Sequence, residues 1–169
     1  MNISLLFNTY LSYSKLLKDN GLRRPNFPEG LSESIASYVL SKYYSRNISK
    51  APTGDLIDHD TKMKYEIKCF SSDGPSSFGP NESWDSLIFV DFTDYENENF
   101  AVYEFPYKNT SEEMKNIVLN KSKNETFYQQ CIIGKRPRIC FEEFCKQNNN
   151  KSKLITIFKG NINSIINYI

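Results

Sequence analysis

The sequence predicts a mixed α/β (α+β) fold, with a central mixed β-sheet flanked by helices. Three observations carry this expectation. Apolar residues recur at helical spacing through residues 2–18 and 29–44. Between residues 54 and 105 the pattern changes to short β-branched and aromatic runs bounded by turn residues. Helical and extended patterns then follow one another towards the C-terminus. A chain of 169 residues suits one core better than two, so a single domain over residues 1–169 is expected.

In the first helix Leu5, Leu6, Tyr10, Tyr13, Leu16 and Leu17 form the expected apolar stripe, which ends near Asn20-Gly21. Residues 23–28, Arg-Arg-Pro-Asn-Phe-Pro, read as a linker, because each proline pushes its predecessor out of the helical region. In the second helix Leu31, Ile35, Val39 and Tyr43 make the apolar stripe, and Glu29, Glu33 and Ser37 share another face. Short strands are expected at 54–58 and 63–70. The Ser/Gly/Pro-rich residues 71–85 read as a long loop. The apolar run 87–92 reads as a buried central strand, 96–99 as a turn and 100–105 as a further strand. Thr110 or Ser111 caps a helix through about Leu119, with Glu112 and Glu113 near its positive end. Residues 125–147 read as helical on both sides of Gly134-Lys135-Arg136-Pro137-Arg138, 148–151 as a loop and 154–158 as a last strand.

Composition narrows the function. Apolar content of 39% and aromatic content of 14% support a folded core. No run approaches the ~20 apolar residues of a membrane span, and the N-terminus lacks the pattern of a secretory signal. Four cysteines without a CxxC, and a single histidine, argue against structural zinc; reduced thiols in a cytoplasmic protein are expected. The net charge of +1 conceals a division along the chain. Residues 1–50 carry net +4, residues 51–105 net −9 and residues 106–169 net +6. This pattern is either ordinary surface variation or a carboxylate-rich metal site framed by phosphate-binding flanks.

The chemistry concentrates in Gly54-Asp55-Leu56 and Tyr65-Glu66-Ile67-Lys68-Cys69. Alternation along a strand sends Tyr65, Ile67 and Cys69 to one face and Glu66 and Lys68 to the other. A four-residue loop, His59-Asp60-Thr61-Lys62, closed by Asp58 and Met63, puts Asp55 opposite Glu66. Directly opposed Cβ atoms lie roughly 4.5–5.5 Å apart, and opposed like charges destabilise a sheet. A divalent cation with hard oxygen ligands, Mg²⁺ or in its place Mn²⁺, would offset that repulsion. Lys68 would then orient a metal-bound water and stabilise its hydroxide form. The competing reading makes Asp55 and Glu66 solvated hairpin charges, Lys68 an exposed strand lysine and Glu33 a helix surface charge.

At these residues the sequence resembles the PD-(D/E)xK nuclease superfamily. Asp55 stands for the first acid, Glu66-Ile67-Lys68 for the (D/E)xK element, and Gly54 replaces the leading proline. The resemblance implies a restriction-endonuclease-like core. It also implies a metal held by Asp55, Glu66 and the backbone carbonyl of Ile67, with a further acid from the preceding helix, Glu33 before Glu29. The run from Glu66 to Pro80, with Trp84-Asp85, Phe27-Pro28-Glu29, Ser32-Glu33 and residues 134–139, looks like short type II restriction endonucleases, in particular a family cutting at GCNGC. Such an enzyme cleaves double-stranded DNA, commonly as a homodimer on a palindromic site, and implies a cognate DNA methyltransferase genetically.

Ser71, Ser72, Ser76, Ser77 and Asn81 offer hydrogen bonds to phosphates or base edges, and Lys135, Arg136 and Arg138 offer phosphate or guanine contacts. Arg23 and Arg24 are the next basic pair. Trp84 reads as a core or loop anchor and the cysteines as small core residues. A repair or junction-resolving nuclease, or a non-catalytic DNA-binding module on the same fold, are the alternative readings.

Overall fold

The computed structural model describes residues 2–120 and 124–166. Helix α1 (Ile3–Asp19) starts where the Asn2 side chain accepts the Leu5 N–H at 2.9 Å. Its buried face is Ile3, Phe7, Tyr10 and Ser14. Of the expected stripe only Tyr10 is buried, while Leu5, Leu6, Tyr13 and Leu16 are exposed. The helix is apolar on two faces, and the face that turns inward carries Phe7, which packs against Phe27 and Phe92. Helix α2 (Glu29–Tyr44) has the expected bounds, following Pro28 and stopping where Ser45 turns left-handed. It buries Leu31, Ile35, Ala36, Val39 and Leu40, whereas Tyr43 is exposed.

Six strands form the main sheet in the order β1 (Ile48–Lys50), β2 (Leu56–Asp58), β3 (Lys64–Phe70), β5 (Ser86–Asp91), β6 (Asn99–Phe105) and β10 (Ile155–Asn161). Only β3 and β5 run parallel. A parallel neighbour cannot be reached by a tight turn and needs a crossover of a dozen or more residues. Residues 71–85 are that crossover, so topology accounts for their length. They are not a plain loop: β4 (Ser76–Ser77) pairs antiparallel with β9 (Arg138–Ile139), and Phe78 and Trp84 are buried anchors.

Alternation on these strands builds a core on each side of the sheet. Tyr65, Ile67, Ile88, Val90 and Val102 pack with α1 and α2 residues, and Cys69 packs against that cluster half-buried. Leu87, Phe89 and Phe105 pack on the other side with Phe78, Trp84, Phe127, Ile139 and Phe144.

The later elements are shorter than the sequence predicts. Helix α3 (Glu112–Lys115), capped by Ser111, stops well before Leu119 because Val118–Asn120 (β7) pairs with Glu125–Thr126 (β8). Helices α4 (Phe127–Ile132) and α5 (Phe141–Lys146) flank β9, within the region expected to be helical. Residues 148–151 lead into helix α6 (Asn150–Lys153) rather than remaining a loop. Strand β1 and helix α7 (Ile162–Ile166) were not anticipated, being too short to show a period.

The buried Glu104 carboxylate accepts hydrogen bonds from the Tyr44 hydroxyl and, at 2.6 Å, from Ser86 Oγ. Burial, then Glu104 itself, holds the Tyr44 hydroxyl well above its ordinary range, so it stays a donor. Replacing Tyr44→Phe leaves this carboxylate with one donor fewer and should cost about 1–3 kcal/mol in urea unfolding. An unchanged midpoint would contradict that dependence.

Candidate active site

The site forms where β2 stops short. The hairpin has the predicted register, Leu56 opposite Tyr65 and Ile57 opposite Lys64, and the Asp58 N–H closes the loop on the Met63 carbonyl at 2.9 Å. Because β2 begins at Leu56, the edge of β3 beyond Tyr65 has no strand beside it. Asp55 fills the gap: its Oδ2 accepts the Ile67 N–H at 2.7 Å. Gly54 just before it has φ +84°, a backbone closed to proline.

Helix α2 brings its acids to this point. One carboxylate oxygen from each of Glu29, Glu33 and Asp55 lies within 4.8 Å of the others. Glu33 is buried and Glu29 exposed, and Lys50 Nζ reaches Glu33 at 2.9 Å. Glu66 is buried and is turned to Lys68, whose ammonium hydrogen-bonds it. The Lys68 ammonium also lies 3.9 Å from Glu82 and 4.9 Å from the centre of the Phe78 ring.

These carboxylates repel one another in a poorly solvated place. Burial raises the Asp55 pKa, against the Ile67 N–H and Lys68, and Glu33 and Glu82 raise it further. Glu66 is pushed up to about 7, first by burial, with Lys68 opposing and Asp55 and Glu82 adding. An excess of close, desolvated carboxylate oxygens is the donor chemistry that Mg²⁺ or Mn²⁺ takes, with bonds of about 2.1 Å for Mg²⁺. Among the described residues this grouping of metal-capable side chains contains no cysteine or histidine. His59 instead meets Ser49 Oγ at 2.7 Å, and the four cysteines are free and half-buried.

A groove of about 480 Å³ opens beside Ile67 and Lys68. Of the predicted contact residues, Ser71, Ser72, Ser76, Ser77 and Arg138 line it. The guanidinium of Arg136 lies next to it, with Nε 3.4 Å from Ser77 Oγ. Lys135 pairs with Glu125 at 3.5 Å, and Asn81 borders a separate depression with Lys115 and Tyr128. Arg23 and Asn26 of the α1–α2 linker also line the groove, while Arg24 is tied to Tyr95 and Glu96.

Residues 2–147 match the family described as Bsp6I restriction endonuclease. The chain belongs to that family. It is therefore a short type II restriction enzyme, and its substrate is DNA. Searches of the curated proteins and of the solved structures give no match. The matched span contains the carboxylates, Lys68 and every groove residue named above, and the mixed sheet with flanking helices is consistent with a restriction-endonuclease-like core. Among the described residues no helix is long and apolar enough to cross a membrane.

Sequence reasoning did not single out Glu82, Lys50 or Asn26. Their approach depends on the crossover, on strand β1 and on the path of the linker, none of which leaves a periodic signal.

The raised Glu66 carboxyl has a consequence for stability. Its ordinary value is 4.5 and its folded value about 7, so between these the folded chain holds more protons than the unfolded one. Stability from this group is intact below pH 4.5 and is lost as pH rises towards 7. In a chelator, urea unfolding of Glu66→Gln should lose this slope and give a more stable protein than the parent at pH 8. A parent as stable as the variant at pH 8 would contradict the assignment.

Proposed function

We propose that the protein is a Mg²⁺-dependent endonuclease of the PD-(D/E)xK kind, a single domain that cuts both strands of duplex DNA in the cytoplasm as a homodimer. The observation that carries this reading is the cluster of Glu29, Glu33 and Asp55, tied through Asp55 to the strand that carries the Glu66–Lys68 pair, beside a groove that Glu29 and Lys68 line together with serines and arginines.

In this reading Asp55, Glu66 and the Ile67 carbonyl hold the metal. Within a strand the N–H and C=O of one residue face the same neighbour, so the Ile67 carbonyl shares the open edge with the N–H that Asp55 accepts. Glu33 supports the ion directly or through water. When bound, such an ion neutralises charge on the scissile phosphate and lowers the pKa of the attacking water. Lys68 positions that water and offsets the charge that develops on the phosphate. Ser71, Ser72, Ser76 and Ser77 donate to phosphate or base edges, and Arg138, with Arg136 behind Ser77, reaches guanine or phosphate. Arg23 adds a cation from the linker. A palindromic site read by two copies, each cutting one strand, follows from two-fold symmetry. The resemblance to enzymes cutting at GCNGC makes that duplex the first substrate to test, and a cognate methyltransferase would protect it.

Incubation with a GCNGC duplex and a mixed-sequence plasmid, in Mg²⁺ and in chelator, tests the reading. Cleavage should require the metal. Asp55→Asn and Lys68→Ala should each lose at least ~10²-fold in single-turnover rate while still binding DNA in Ca²⁺. Near-parental cleavage by either variant would overturn the assignment. A preference for branched DNA would point to a junction-resolving enzyme, and binding without cleavage to a non-catalytic module.

Specificity has its own test. Arg138→Ala should cost about 1–3 kcal/mol on the cognate duplex and relax discrimination at one base pair if the guanidinium reads guanine. A uniform loss across sequences, with a salt slope smaller by about one, would make it a phosphate contact instead.

A further inference from the structure

We propose that Glu82 is a positioning residue for Lys68, the acceptor to which the ammonium turns when Glu66 takes up a metal ion. This rests on the assignment of Glu66 and Lys68 made above.

The Lys68 side chain is only 14% exposed and its ammonium has two anionic neighbours. Glu66 holds the hydrogen bond, and Glu82 Oε2 stands 3.9 Å away. That Glu82 oxygen is buried and has no hydrogen-bond partner. A buried carboxylate oxygen without a partner is costly, and the cost calls for a compensating role.

The metal-bound site supplies one. A cation taken by the Glu66 oxygen that faces Lys68 competes with the ammonium for that oxygen. A desolvated ammonium without that hydrogen bond needs another acceptor to stay in place. A shift of about 1 Å brings it within hydrogen-bond distance of Glu82. The Phe78 ring, 4.9 Å from Nζ, attracts the ammonium.

The segment that carries Glu82 is built to hold it there. Phe78 and Trp84, on either side, are buried. The Glu82 carbonyl accepts from Asn109 Nδ2 at 2.9 Å. The carboxyl group itself lies over Gly79, in the space that a Cβ at that position would occupy. Gly79 has an ordinary backbone, so Gly79→Ala should fold normally and push the Glu82 carboxyl aside.

The experiment measures, on one cognate duplex, single-turnover cleavage, DNA affinity in Ca²⁺, the Mg²⁺ concentration giving half-maximal rate, and the thermal midpoint. Glu82→Ala should slow cleavage by about 10–100-fold, as loss of an outer supporting partner does elsewhere. Gly79→Ala should slow it in the same direction, and Glu82→Gln, which keeps an acceptor, should slow it less than Glu82→Ala. DNA affinity, the Mg²⁺ requirement and the thermal midpoint should not deteriorate. A raised Mg²⁺ requirement would make Glu82 a metal ligand and overturn the proposal. So would a parallel loss of affinity and stability, which marks a structural role, or an unchanged rate. Lys68→Ala, run alongside, separates the two levels: if it cleaves normally the active-site assignment falls as well, whereas a slowed Lys68→Ala beside a normal Glu82→Ala removes Glu82 alone.

Discussion

Glu33 and Asp55 hold carboxylate oxygens within 4.8 Å of each other, the buried Glu66 feels Asp55 nearby, and much of the local structure answers this repulsion. Two like charges about 5 Å apart at an effective dielectric near 20 repel by roughly 3 kcal/mol. The chain opposes this with an N–H from the bare edge of β3, with Lys68 between two acids and with Lys50 reaching in from β1. These devices do not restore ordinary titration: burial first, and neighbouring carboxylates second, keep the Asp55 and Glu66 carboxyls raised. A site left short of positive charge in this way is disposed towards a cation, which would in turn offset the repulsion between these carboxylates and a phosphate.

The sheet topology then delivers the rest of the groove. Because β5 lies parallel to β3, the chain must leave the end of β3 and cross over before it returns. That crossover carries the serines past the head of the groove and places Glu82 against Lys68. The β4–β9 ladder ties the crossover to the basic segment, with Ser77 opposite Arg138 and Ser76 opposite Ile139. Carboxylates, lysine, serines and arginines drawn from across the matched span thus meet in one place.

The centre of the site was legible because two local rules determine it. Alternation sets the faces of residues 65–69, and the four-residue loop sets the register that brings Asp55 to Glu66. Helix α2 was equally plain, with its apolar stripe and a proline before it, and its spacing put Glu33 on the face that meets Asp55. Helix α1 was misread because apolar residues cover two of its faces and only tertiary packing chooses between them. The pairing of Ser77 with Arg138 and the approach of Glu82 join segments distant in sequence, so no local pattern announces them. The expected helix up to Leu119 failed for a similar reason: the β7–β8 pairing overrides a capped helical start.

The most direct measurement is the anomalous scattering of Mn²⁺ in crystals of the protein bound to a duplex carrying its site. The account predicts a peak with both Asp55 and Glu66 among its ligands, the Ile67 carbonyl beside them and the scissile phosphate completing the shell. A bound Mn²⁺ coordinated by neither Asp55 nor Glu66, for instance one held by Glu29 and Glu33 alone, would contradict it.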